Sequence, residues 1–121
     1  MMKFLTKVVL QIKNATCYSK DGLIAAFQEE FAFRLETFTG IIAIPAAFFI
    51  GNTAVERIAL ISSILLIAIV ELLNSAIEVT LNQIDLNWSA LIKKAKDMGS
   101  AAVMLAIINA LIVWTLIIAT H

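Results

Sequence analysis

Three long apolar runs follow a mixed N-terminal segment. Residues 37–55 and 98–120 carry no charge, and residues 58–84 carry only Glu71 and Glu78. Each run matches or exceeds the ~20 residues that cross a bilayer as a helix. With their flanks they predict transmembrane helices over about 32–52, 54–85 and 91–120. Pro45 falls inside the first, which a membrane helix tolerates when neighbours satisfy the freed carbonyl. Gly51-Asn52-Thr53 reads as a turn, and Asp85–Ser89 as a polar connection. The second run is longer than the hydrocarbon core. Its second half, with both carboxylates, is therefore expected to reach toward an aqueous face.

Residues 1–28 are patterned differently. Phe4, Leu5, Val8, Val9 and Ile12 recur at helical spacing, with Lys3, Lys7, Gln11 and Lys13 mostly off that stripe. This predicts an amphipathic surface helix, or a helix pair broken by a turn at Ser19-Lys20-Asp21-Gly22. A packed helix of a small bundle is the alternative. Lys3, Lys7, Lys13, Lys20 and Asp21 interrupt the segment, and it has no A-x-A site, so a cleavable signal peptide is not expected.

Composition sharpens the picture. The chain has 121 residues and is 61% hydrophobic, and its mean hydropathy is +0.95, well above a soluble domain. This predicts one all-α integral membrane domain over 1–121. Net charge is zero, and no basic patch is large enough to follow a nucleic-acid backbone. The single cysteine, Cys17, excludes an intrachain disulfide. Four lysines precede the first span and three lie in residues 82–97, against one Arg in residues 51–57. The positive-inside rule then places the N-terminus and the second connection in the cytoplasm.

The chemistry concentrates in E-x-x-N-x-x-x-E at Glu71, Asn74 and Glu78, three positions on one helix face. A charge within hydrocarbon costs at least ~2.5–3.5 kcal/mol. Such groups persist where they face a polar interior, a metal or water. Glu71 and Glu78 stand ~10 Å apart along the axis, too far to share one proton or ligate one ion together. The deeper Glu71 suits a general base. Glu78, nearer the cytoplasm, suits a divalent ion, with Glu30 as a second carboxylate at the same boundary. Mg²⁺ takes one or two carboxylates plus substrate phosphates. Interhelical hydrogen bonding alone is the plainer reading of the stripe.

Lys96 and Asp97 stand at the same cytoplasmic mouth. The lysine suits a nucleotide phosphate or serves as a topology anchor. Met98–Ala102 offers a small-residue face for close packing or for a lipid headgroup. Glu30 and Arg34 are spaced for a salt bridge. Trp88 and Trp114 suit interfacial belts, and Asn109 an interhelical hydrogen bond. There is no P-loop, protein-kinase signature or G-x-S-x-G motif.

Three strings carry a resemblance: Ala25-Ala26-Phe27-x-x-Glu30-x-Ala32-Phe33-Arg34-x-Glu36, Glu71-Leu-Leu-Asn74-Ser75-Ala-Ile-Glu78, and Ala95-Lys96-Asp97-Met98-Gly99-Ser100-Ala101-Ala102. In this order they closely resemble the prokaryotic diacylglycerol kinase family over nearly the whole chain. The first ~20 residues match only weakly. The resemblance implies a small inner-membrane lipid kinase, homotrimeric, with a surface helix and three transmembrane helices per protomer. Members transfer the γ-phosphate of MgATP to diacylglycerol, in sites between protomers.

Carried over by position, Glu71 matches the general base and Asn74 a residue that organises the site. Glu30 and Glu78 match the Mg²⁺ carboxylates beside the nucleotide. Tyr18, Asn87, Trp88, Ser89, Lys96 and Asp97 match nucleotide contacts. Arg34, Glu36, Ser100 and Trp114 match the lipid pocket, with Glu71. Gln11 stands where the family typically has a basic substrate-holding residue, leaving Lys7 or Lys13 to substitute or binding to weaken. Asn82 stands where an Asp is usual, Lys20-Asp21 replaces Trp-Lys, and Glu29 replaces a common Asn. None removes the base or a metal carboxylate.

Rival readings are an undecaprenol kinase of the same superfamily and, from another class, a small oligomeric channel or transporter with Glu71 and Glu78 along its path. A purely structural assembly subunit is a third.

Overall fold

The computed structural model describes residues 1–84 and 89–121. Four helices account for almost all of them: α1 (Met2–Glu29), α2 (Phe31–Ile50), α3 (Ala54–Ile84) and α4 (Ala90–Ala119). The last three are long and apolar enough to span a membrane. The chain is thus an all-α membrane protein with an amphipathic helix ahead of three spans. Of the connection expected at Asp85–Ser89, all but Ser89 lies outside the described residues.

The turn expected at Ser19–Gly22 does not form. The helix α1 runs unbroken through Lys20, Asp21 and Gly22. A helical glycine costs only ~1 kcal/mol relative to alanine, and Leu23-Ile24-Ala25-Ala26 continues the hydrogen-bonded ladder beyond it. The break comes instead at Glu30, whose extended backbone (φ −109°, ψ 110°) separates α1 from α2. Arg34 stabilises this joint, although not by the ion pair its spacing suggested. Its Nη1 donates to the carbonyl oxygens of Gln28 (2.8 Å) and Phe27 (3.2 Å), capping the C-terminal end of α1. Phe27 of α1 also packs edge-on against Phe38 of α2, with ring centroids 6.0 Å apart.

The helix α2 continues through Pro45 and ends at Gly51. The Gly51–Thr53 turn is the one the sequence marks, and local chemistry secures it. Thr53 Oγ1 accepts the backbone N–H of Glu56 at 3.1 Å, while Glu56 Oε2 accepts the backbone N–H of Asn52 at 2.7 Å. This reciprocal arrangement satisfies donors that the start of α3 would otherwise leave open. Arg57 Nε donates to the Phe48 carbonyl at 3.2 Å, closing the end of α2. His121 joins the cluster from the far end of α4, 2.6 Å from Asn52 Nδ2 and 3.2 Å from Glu56 Oε2.

The central helix is α3, which packs against α2 on one side and antiparallel to α4 on the other. Polar contacts hold its register with α4. Trp114 Nε1 donates to Ser63 Oγ at 3.0 Å, Lys96 Nζ donates to Asn82 Oδ1 at 3.0 Å, and Gly99 lies against Asn74. Ser63 is 2% exposed, so the indole bond is made in a dry setting. Asn109, expected to bond to a neighbouring helix, is instead exposed on α4 and bonds to no side chain among the described residues. The hydroxyls of Thr37, Thr39 and Thr80 bond to carbonyls one turn back in their own helices, leaving no unmet donor toward lipid.

Lengths decide where the polar groups come to lie. At ~1.5 Å per residue α2 spans about 30 Å, a bilayer core, whereas α3 and α4 reach about 45 Å. Since α2 and α3 share the Gly51–Thr53 turn, α3 overshoots the start of α2 at the opposite end. The overshoot carries Glu78.

The turn yields a stability prediction. Thr53→Ala should destabilise the protein by about 1 kcal/mol, the usual cost of a lost N-cap. A Cβ at Gly51 would meet Arg57 Cγ at 2.7 Å and the Ala47 carbonyl oxygen at 3.1 Å, so Gly51→Ala should destabilise it too. Detergent-unfolding titrations followed by far-ultraviolet circular dichroism would measure both; unchanged midpoints would contradict the capping account.

Candidate active site

The step between the short α2 and the long α3 is where the acidic side chains gather. Glu71 projects from α3 and is only 9% exposed. The charges of Glu78, two turns further along the same face of α3, and of Glu30, at the α1–α2 joint, both act on it. From the other side Glu36, on α2, is close enough to feel Glu71. Four carboxylates from α2, α3 and the joint thus form one electrostatic neighbourhood centred on Glu71, with Glu78 two turns further out. Three of them, Glu30, Glu71 and Glu78, are those singled out by the pattern.

Asn74 lies between Glu71 and Glu78 on the same face, as the spacing predicted. Its Nδ2 makes a long contact of 3.5 Å with Glu78 Oε1, while its Oδ1 is buried without a hydrogen-bond partner among the described residues. Glu36 Oε2 is likewise buried and unpartnered. Buried oxygens without a partner are rare in proteins, and both of these lie in the neighbourhood of Glu71. Among the described residues no three His, Cys, Asp or Glu side chains form a complete metal cage. Two carboxylates such as Glu30 and Glu78 suffice for an ion that completes its shell with phosphate and water oxygens.

Two grooves adjoin the carboxylates. One, of about 620 Å³, runs between α1 and α3 and is lined by Ser19, Gly22, Ala26, Glu29, Glu30, Ser75 and Thr80. Small residues at Gly22, Ala25, Ala26, Ser75 and Ala76 keep it open. The other, of about 470 Å³, lies between α2 and α3 and is apolar but for its mouth. Glu36 and Thr37 stand at that mouth, and Gly40, Ile44, Pro45, Ile64 and Ala68 form the walls.

The remaining predicted residues divide. Lys96 is half-buried and held by Asn82, and Asp97 pairs with Lys93 one turn away on α4. Ser89 caps α4, its Oγ accepting the backbone N–H of Ile92 at 3.1 Å. Ser100 is exposed beside Gly99, and Arg34 is committed to the α1 carbonyls. Gln11 and Tyr18 are exposed on α1 and line neither groove. Trp114, at its bond to Ser63, sits about 22 Å along α4 from Gly99 by the ~1.5 Å rise. Asn87 and Trp88 lie outside the described residues. Sequence reasoning missed Ser63 and the constraint at Gly99. Both depend on which residues of α3 and α4 face each other, which no local spacing states.

Comparison with known proteins identifies the family. The profile of the family described as prokaryotic diacylglycerol kinase matches residues 17–118. A diacylglycerol kinase of Haemophilus influenzae is 48% identical over 101 residues, covering 84% of this chain and 86% of its own. Its Escherichia coli counterpart is 44% identical over 111 residues, covering 92% and 91%. That of Helicobacter pylori is 41% identical over 104 residues, covering 86% and 78%. With the match running from the middle of α1 nearly to the end of α4, the chain belongs to the prokaryotic diacylglycerol kinase family.

Proposed function

We propose that this protein is a membrane-embedded kinase that transfers the γ-phosphate of MgATP to the free hydroxyl of diacylglycerol, giving phosphatidic acid. The observation that carries the reading is the buried Glu71, within electrostatic reach of Glu30 and Glu78 where α3 overshoots α2. A membrane-bound alcohol and a water-borne nucleotide can meet only at such a boundary. Relatives named diacylglycerol kinase over most of their length support the choice of acceptor over undecaprenol or an ion.

Glu71 accepts the proton of the lipid hydroxyl as its oxygen attacks the γ-phosphorus. A new oxygen–phosphorus bond forms, the bond to the β-phosphate oxygen breaks, and ADP leaves with the electron pair. Glu30 and Glu78 would hold Mg²⁺, and Asn74 orients Glu78. Bound there, the ion would neutralise the phosphate charge that builds in transfer. Its two hard carboxylates and the absence of soft ligands suit Mg²⁺. Lys96 and Asp97, Ser89, Asn87, Trp88, Tyr18 and Gln11 form the nucleotide side. Gln11 and Tyr18 on α1 and Lys96 and Asp97 on α4 stand on distant stretches, which fits a site shared between protomers of a homotrimer. The α2–α3 groove, with Glu36 at its mouth, suits an acyl chain below a polar headgroup. Arg34 and Ser100 flank the reacting end, and Trp114 lies deep enough to meet only lipid tails. The lysine bias supports an N-terminus and active sites on the cytoplasmic side, and the membrane in question would be a bacterial inner membrane.

Radiolabelled transfer from MgATP in mixed micelles, with diacylglycerol and undecaprenol offered in parallel, tests the reading. Labelled phosphatidic acid should dominate; preference for undecaprenol, or no transfer, would overturn the acceptor or the activity. Glu71→Gln should lower kcat by about 10²–10⁴-fold, the usual share of a general base, with assembly unchanged. Near-wild-type turnover would remove Glu71 from that role. Glu30→Gln and Glu78→Gln should each raise the Mg²⁺ concentration for half-maximal rate. An unaltered Mg²⁺ response in both would count against their coordinating the ion.

A further inference from the structure

Gly99 is buried in the middle of α4's contact with α3. Its backbone is ordinary helix with negative φ, so glycine is not there for conformational freedom. A helical glycine costs ~1 kcal/mol against alanine, and something must offset that. A methyl group at this position would overlap Asn74 Oδ1 outright and come within 3.2 Å of Asn74 Cγ. The chain's other helical glycines differ. Gly22 faces open space, and a methyl at Gly40 would make ordinary contact with Ile64 at 3.7 Å. Gly99 alone is hard against a polar side chain of another helix.

That side chain is not placed indifferently. With Oδ1 seated on the Gly99 backbone, the amide nitrogen turns toward Glu78 Oε1. The seat is tight enough to exclude water, and the oxygen has no conventional donor among the described residues. The Cα–H of Gly99, a weak donor, stands where a side chain would otherwise meet it. The amide would otherwise be free to rotate away from Glu78.

We propose that Gly99 is a positioning residue: its missing side chain forms the seat that fixes the Asn74 amide and, through it, aims the Glu78 carboxylate. The consequence for Glu78 rests on its role as a metal ligand proposed above, while the seating of Asn74 does not.

The test is Gly99→Ala, alone and combined with Asn74→Ala. In protein labelled with ¹⁵N-asparagine, the Asn74 side-chain resonances, identified by their loss in Asn74→Ala, should shift in Gly99→Ala. The Mg²⁺ concentration for half-maximal rate should rise at least about fivefold, a coupling typical of residues in direct contact. In the Asn74→Ala background the same substitution should change it by less than about twofold. If α4 yields instead, the Asn74 resonances stay in place, the unfolding midpoint falls and the Mg²⁺ response is that of the wild type. That outcome overturns the proposal, as would losses that simply add in the double variant. The resonances decide the seating of Asn74 whatever metal requirement the wild type shows.

Discussion

Helices surrounded by lipid gain nothing from hiding apolar faces against one another, because the tails outside are as apolar as the helix inside. What holds α3 to α4 must therefore be close approach and polar contact. Gly99 lets the two backbones come near, Trp114 reaches Ser63 in a dry interior, and Lys96 reaches Asn82 near the water. Each contact does double duty. It supplies attraction that burial cannot, and it fixes which residues of the two helices face each other. The carboxylate face of α3 inherits its orientation from that register.

The second constraint is electrostatic. Carboxylates at one level of a membrane protein repel one another and resist leaving water. The fold accommodates them by making α2 about one bilayer long and α3 half as long again, so the acidic groups gather around and beyond the start of α2. Glu71 stays buried, Glu78 is carried outward and Glu30 sits at a backbone break. The general base and metal carboxylates proposed for this site need different surroundings, and a single step in helix length offers them.

Much of this was legible beforehand, for identifiable reasons. The spans follow from uncharged runs, and the Glu71–Asn74–Glu78 face from helical periodicity; both are local properties. The Ser19–Gly22 turn failed because polar residues and a glycine do not end a helix whose next turn is Leu23-Ile24-Ala25-Ala26. Arg34 forsook Glu30 because the joint left carbonyls of α1 exposed nearby, a fact invisible until the break at Glu30 is located. The Gly99 seat and the Trp114–Ser63 bond were hidden for a deeper reason. They depend on the register between α3 and α4, which a single sequence does not encode at any one position.

Nearly all packing in this chain is between consecutive elements: α1 with α2, α2 with α3, α3 with α4. A chain so arranged never needs a late segment to thread between early ones. As the ribosome delivers each helix to the bilayer, its partner is the one just inserted, and the search for it is nearly one-dimensional. A long return comes late, when His121 comes back to Asn52 and Glu56. That contact can close only after α4 has crossed the membrane, so it forms later than the packing of α1 on α2 and of α2 on α3.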